Sequence, residues 1–222
     1  MKKTDIAWIL SITLITVLLI IPVTRNQIAN YTTQFPYLMG FLKTAILASL
    51  GEGLARRIST GFYYKKPGNL LRFIIWGILG MGFVLFFHVF ANGVGSAIQN
   101  GLLPGASQTT LFGKIVTAFW ISFWMNLIFA PTFMFFHRVT DGFIDLANGQ
   151  IKRLFNVPLS AVISSIDMKT FVGFVILKTI PLFWIPAHTI TFLLPEHFRV
   201  IMAGYLSIAL GLILTLAKRK KH

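Results

Sequence analysis

Residues 73–91 read FIIWGILGMGFVLFFHVFA and residues 115–136 read IVTAFWISFWMNLIFAPTFMFF, and neither stretch carries a side chain that is charged at neutral pH. At a rise of 1.5 Å per residue, about 20 residues of α-helix cross a hydrocarbon core of roughly 30 Å. Both stretches have that length, and both are aromatic and aliphatic throughout. A helix at the surface of a water-soluble domain keeps a polar face, and a chain of 222 residues cannot hide several helices that lack one, whereas a helix surrounded by lipid needs none. These two segments therefore set the fold class as all-α, a polytopic transmembrane helical bundle.

The same reading extends outward in both directions. Apolar blocks recur at about 6–22, 37–55, 171–194 and 199–217, giving about six spans in a single integral membrane domain of 222 residues. The composition agrees, with 55% hydrophobic and only 12% charged residues, the latter about half the share of a typical soluble domain. The first block follows Lys2 and Lys3 like a signal peptide, but Pro22-Val23-Thr24-Arg25 lacks the small-residue pair of a cleavage site, so an uncleaved helix is expected. A polar stretch, Thr24 to Gln34, joins it to the second block. The region 138–169 is expected to be an interfacial loop with short helices.

A net charge of +14 raises the question of nucleic acid, but the basic residues cluster at the edges of the apolar blocks. That is where anionic lipid head groups and the insertion machinery read them. With the amino terminus inside, fifteen basic residues fall on the inner side, among them Arg56, Arg57, Arg72, Arg138, Lys152 and Arg153. Arg25, Lys114 and Arg199 fall on the other, while Lys43 and Lys178 lie within spans. The asymmetry predicts both termini in the cytoplasm, residence in the cell inner membrane as a multi-pass protein, and lipid partners with anionic head groups at the inner face. Nucleic acid is not an expected partner, and a homo-oligomer is left open.

Ionisable groups inside a bilayer cost roughly 2.5–3.5 kcal/mol at mid-helix and need a partner or water. Lys178 lies about two turns into the fifth block and Glu52 at similar depth in the second, so the pair either bond, or share an aqueous cavity, or Lys178 snorkels to the interface. Lys43 is nine residues before Glu52, on the opposite helix face, and is expected to snorkel. Pro181 and Pro186 remove two amide donors and predict a kinked fifth span facing protein or water. Ala45, Ser49 and Gly53, like Ala118, Ser122, Asn126 and Ala130, form small-residue faces for close packing. Asn126 alone among them offers a polar group to a cavity. Gly77, Gly80 and Gly82 suit close approach, and His88 and His188 fall in the outer halves of their spans.

His137, Asp141 and Asp145 follow helical spacing and superficially resemble a metal stripe, but with Arg138 beside them and no second such motif, no metal and no cofactor is predicted. The chain has no cysteine, which removes thiolate ligands and cysteine nucleophiles. Phosphate-cradling loops and nucleophile elbows are missing too, so no enzyme is expected; the Asp141 and Asp145 pair is the single candidate for lipid-modifying chemistry.

One series of residues resembles a known family. Trp184-Ile185-Pro186, then Phe192-Leu193-Leu194-Pro195 and Arg199, followed by an apolar span with a basic tail, is similar to the tryptophan-proline, phenylalanine, proline and arginine series of the Mpv-seventeen and peroxisomal-membrane-protein family. Gly51-Glu52 is similar to its glycine-acid step, and Phe129-Ala130-Pro131 to a phenylalanine-alanine-proline in its third helix. Met125 and Asn126 replace an acid and a glutamine there, the Pro186 to Pro195 spacing is short, and the first block has no counterpart. The resemblance implies a channel-like or transporter-like passage for small solutes or ions. Its pathway is expected to draw on Glu52, Asn126, Lys178 and His188; the alternative is a structural or accessory membrane protein without transport activity.

Overall fold

The computed structural model describes residues 2–64 and 67–219, the last six of these by backbone alone. Among the described residues the fold is helical without strands. Six helices are long and apolar enough to cross a membrane: Lys3–Ile20, Pro36–Thr60, Asn69–Gln99, Leu111–Leu146, Met168–Leu193 and Glu196–Ile213. They are called here the first to sixth spans. Their outer surface is oily, with Leu10 63%, Ile20 68% and Leu182 78% exposed, a distribution compatible with an integral membrane protein.

The second span is the hub. The third packs on one side of it and the sixth on another, and both approach through glycine. A Cβ on Gly40 would come within 2.8 Å of the Gly80 carbonyl oxygen, and one on Gly204 within 2.6 Å of the Leu47 side chain. Lipid tails are as apolar as leucine, so contact of this kind, rather than hydrophobic exclusion, holds spans together. Gly82 meets nothing within 4 Å and plays no such part. The expected small face Ala118, Ser122, Asn126 and Ala130 is buried along its whole length.

The first span buries no residue fully and lies at the periphery. Polar contacts fasten it: Asp5 accepts from Arg57 at 2.7 and 2.9 Å, the Trp8 indole N–H donates to the Leu50 carbonyl at 2.9 Å, and Thr16 meets Tyr205 at 2.8 Å. The polar stretch after it is not a loop but a helix, Pro22–Gln34. Pro22 stands at its first turn, where a missing amide costs nothing, and the Thr32 hydroxyl bonds back to the Ile28 carbonyl. This helix also corrects the expectation for Lys43. Its ammonium is buried and donates to Thr32 Oγ1 at 2.5 Å and to the His197 carbonyl at 3.1 Å, so it is bonded inside the bundle instead of snorkelling.

Several boundaries differ from the sequence reading: the second span runs on to Thr60 and the third covers Asn69–Gln99, both longer than their apolar blocks. The fourth span continues ten residues past 136 to Leu146, and the predicted interfacial loop shrinks to a connector with the short helices Ile151–Leu154 and Leu159–Ser165. The charges at His137, Asp141 and Asp145 do not end the helix because other spans supply their partners. The fifth span begins at Met168, where Asp167 accepts the Thr170 amide at 3.0 Å. Hydrogen bonding from Thr170, by its side chain first and then by this amide, holds the Asp167 carboxyl below the usual carboxylate range.

The predicted kink takes a specific form. The fifth span is wound in wide i→i+5 turns from Phe171 to Trp184, and the fourth has one such turn at Met125–Phe129. Each widening accompanies a proline, Pro181 and Pro186 in one and Pro131 in the other. A normal turn drives the proline ring into the carbonyl four residues back, whereas a wider one moves that carbonyl away.

Candidate functional site: two cavities meeting at Glu52, His137 and Asp141

One end of the bundle gathers Lys3, Arg56, Arg57, Arg72 and Lys169 and is called the basic end. Glu52 lies eight residues from Thr60 and His137 nine from Leu146, so both side chains sit about 12–14 Å in from that end. There they face each other, with Glu52 Oε1 at 3.4 Å from His137 Nε2. One helical turn nearer the end, Asp141 Oδ2 lies 3.4 Å from His137 Nδ1. Asp141 Oδ1 is 3.2 Å from Arg72 Nε, and Arg72 Nη2 reaches Asp145 at 2.5 Å. The Trp76 ring meets the His137 ring edge-on at 4.1 Å and fixes its plane.

This cluster stands where two cavities meet. A vestibule of about 890 Å³ opens among Arg56, Ser59, Tyr64, Arg72 and Asp145. An inner cavity of about 320 Å³ runs among aromatic side chains including Phe83, Phe133 and Trp184. Glu52, Ala55, Arg138 and Asp141 line both. They stand between a polar basin and an apolar chamber, at a place called here the neck.

The inner cavity ends on a buried polar pair. Asn126, eleven residues beyond His137 along the fourth span, lies about 16 Å deeper. Its side chain is fully buried, as is that of Ser122. Asn126 Nδ2 donates to the Ser122 carbonyl at 2.8 Å and contacts Ser122 Oγ at 3.2 Å, and its Oδ1 lies 3.1 Å from His188 Nδ1. The Ser122 hydroxyl donates to the Ile185 carbonyl at 2.7 Å, tying the fourth span to the fifth where the wide turns give way to regular helix. Around this pair Phe87, Ile121, Met125 and Phe192 belong to one buried apolar cluster, called here the plug, of which Phe87 and Met125 also line the cavity.

Of the expected pathway residues, Glu52, Asn126 and His188 line the inner cavity and Lys178 does not. Lys178 is exposed on the outer surface of the fifth span, and Glu52 faces His137 instead of it. His88 is exposed and pairs with Glu196 and Asn92 at 3.2 and 2.7 Å, away from the cavity. The stripe His137, Asp141 and Asp145, from which no metal was predicted, is also rearranged. Asp145 turns to Arg72, and Glu52 joins His137 and Asp141 with ligand-type atoms within 4.8 Å of one another. The two acids nevertheless face different ring nitrogens, and Arg72 engages Asp141. Sequence reasoning missed the pairing of Glu52 with His137; the signal for it was their matching depth from the helix ends.

No known family model, curated protein or solved structure matches this chain. The fold and the cavities thus carry the functional reading.

Proposed function

We propose that the chain is an integral membrane protein that provides a channel-like or transporter-like passage for small solutes or ions, with the vestibule, neck and inner cavity as its cytoplasmic half. One observation carries this reading. Glu52, Arg138 and Asp141 line two cavities in series, and the second reaches the buried pair Asn126 and His188 at mid-bundle. A bundle that merely packs has no need to keep ionisable side chains along an internal space, since each is costly away from water. The plug around Phe87 and Phe192 then separates the cavity from the opposite side, so passage requires it to move.

The basic residues support an orientation with both termini in the cytoplasm, in the inner membrane of the cell, and with anionic lipid head groups as neighbours. The resemblance of residues 184–199 to the Mpv-seventeen and peroxisomal-membrane-protein family supports the same class of activity. The residues around the cavity include no nucleophile activated by a base, which supports a passage rather than an enzyme.

The test is release of trapped ions and metabolites from liposomes containing the purified protein. The reading expects release that Ala48→Trp, filling the inner cavity beside the neck, abolishes and that Lys178→Ala leaves intact. Release no faster than from empty liposomes across a broad panel would reject it and leave the structural or accessory alternative.

A further inference from the structure

We propose that Glu52, His137 and Asp141 together form a proton-binding site at the neck, and that the proton it holds closes the route from the vestibule to the inner cavity. The inference deepens the proposed passage by naming the ion that regulates it, and it rests on that reading.

The argument starts from the two faces of one imidazole. Nε2 is directed at a carboxylate from the second span and Nδ1 at a carboxylate from its own helix, each at 3.4 Å. A neutral imidazole has one N–H donor and one bare lone pair, whereas imidazolium has two donors. With both acids ionised, a neutral ring therefore points a lone pair at a carboxylate. Imidazolium satisfies both acids at once. The separations exceed hydrogen-bonding distance, and Nε2 is buried without a hydrogen-bond partner. The gap is one that gain of a proton draws shut.

The groups facing this ring are few. The second span supplies Glu52, the third Arg72 and Trp76, and the fourth Asp141, with Arg138 beside it and Asp145 held through Arg72. Among the described residues the fifth and sixth spans line the inner cavity near this level with Phe171, Val175, Thr179, Ser207 and Leu210, none of which titrates here; the one titratable side chain they add to its lining, His188, lies deeper, against Asn126. Arg72 offsets Asp141 and Asp145, so Glu52 is the acid whose partner depends on the state of His137.

Mechanical consequences follow from where the two acids are anchored. In the imidazolium form His137 clamps the second span to the fourth across the neck. Loss of the proton to water in the vestibule leaves Nε2 or Nδ1 bare, breaks one of the two contacts and turns the Glu52 carboxylate toward the vestibule that it already lines. No co-reactant is consumed; one proton passes between the site and water.

The chain lacks native cysteine, so a single thiol reports access without background. Ala48→Cys, one turn beyond Glu52 in the inner cavity, and Ser59→Cys, in the vestibule, are labelled in liposomes with a charged methanethiosulfonate between pH 5.5 and 8.5. The rate at Ala48→Cys is divided by that at Ser59→Cys to remove the thiol's own titration. The expected ratio rises tenfold or more with pH, and becomes flat when His137→Gln or Glu52→Gln is added. Ala203→Cys serves as a second reporter should Ala48→Cys fail to fold. A ratio independent of pH with His137 present would overturn the proposal. So would stoichiometric binding of Zn2+ or Mn2+ that His137→Gln abolishes, because a metal then owns the site. Failure of both reporters to label from either side at any pH would instead reject the passage on which the proposal rests.

Discussion

Replacing Asn126 with leucine keeps the side-chain shape and removes all of its hydrogen bonds. The Ser122 carbonyl and hydroxyl lose the amide that meets them at 2.8 and 3.2 Å, and His188 Nδ1 loses its partner at 3.1 Å. His188 is 7% exposed and lines the inner cavity, so the only water able to take the place of that partner is water held in the cavity. An orphaned buried polar group costs about 1–3 kcal/mol, while coupled polar pairs between membrane helices average about 0.6 and reach about 1.7 kcal/mol. Asn126→Leu should therefore lose about 1–2 kcal/mol. His188→Phe alone should lose a similar amount, because it leaves the Asn126 carbonyl oxygen unpaired. The double substitution should recover about 1 kcal/mol of the summed loss, since removing both partners leaves neither orphaned. Unfolding in a detergent titration, read as a double-mutant cycle, measures this coupling. Losses that simply add within 0.3–0.5 kcal/mol would refute the claim that the two residues are partners at the blind end of the cavity.

Other outcomes follow from the same geometry. Gly80→Ala should lower thermal stability in detergent by about 1–3 kcal/mol as its Cβ meets the Gly40 carbonyl and Thr44, whereas Gly82→Ala, with nothing within 4 Å, should be neutral or slightly stabilising. Asp5→Asn and Arg57→Gln should each speed amide hydrogen exchange in residues 3–20 without changing exchange in the second and third spans, because that ion pair fastens a peripheral helix. Lys178→Met should leave inner-cavity labelling unchanged, since the lysine lies on the outer surface.

How much of this was legible in the sequence depended on which coordinate of a helix was being read. Depth along the axis was legible. Apolar length gave the six spans, but the matching depths of Glu52 and His137 are counted from Thr60 and Leu146, helix ends beyond the apolar blocks, so His137 read as lying outside its span. Azimuth was legible for Ala118, Ser122, Asn126 and Ala130, which are all buried although a single wide turn, Met125–Phe129, interrupts the helix there. For Lys178 depth alone was legible, which left pairing with Glu52, a shared cavity and snorkelling open; the exposed position of the lysine removes the first two. Periodicity does not supply the missing azimuth there, because the wide turns from Phe171 to Trp184 rotate each residue by roughly 80° instead of 100°. Partners across the bundle were the least legible. Lys43 is held by Thr32 and the His197 carbonyl, and nothing in the local sequence of either connector announces that contact. The helix from Pro22 to Gln34 was hidden for a related reason, since its polarity resembles a loop while Thr32 and Thr33 bond to its own backbone and Thr24 to the end of the first span.

The central claim is that a bilayer surrounds this bundle with its basic end, and the vestibule, facing the cytoplasm. Sidedness of two single cysteines tests it most directly: Ser59→Cys at the basic end and Ser107→Cys between the third and fourth spans, exposed to an impermeant thiol reagent in intact cells and in inverted vesicles. The account predicts that Ser107→Cys reacts in cells and Ser59→Cys in inverted vesicles alone. Reaction of both from the same side, or of Ser59→Cys from outside the cell, would contradict it.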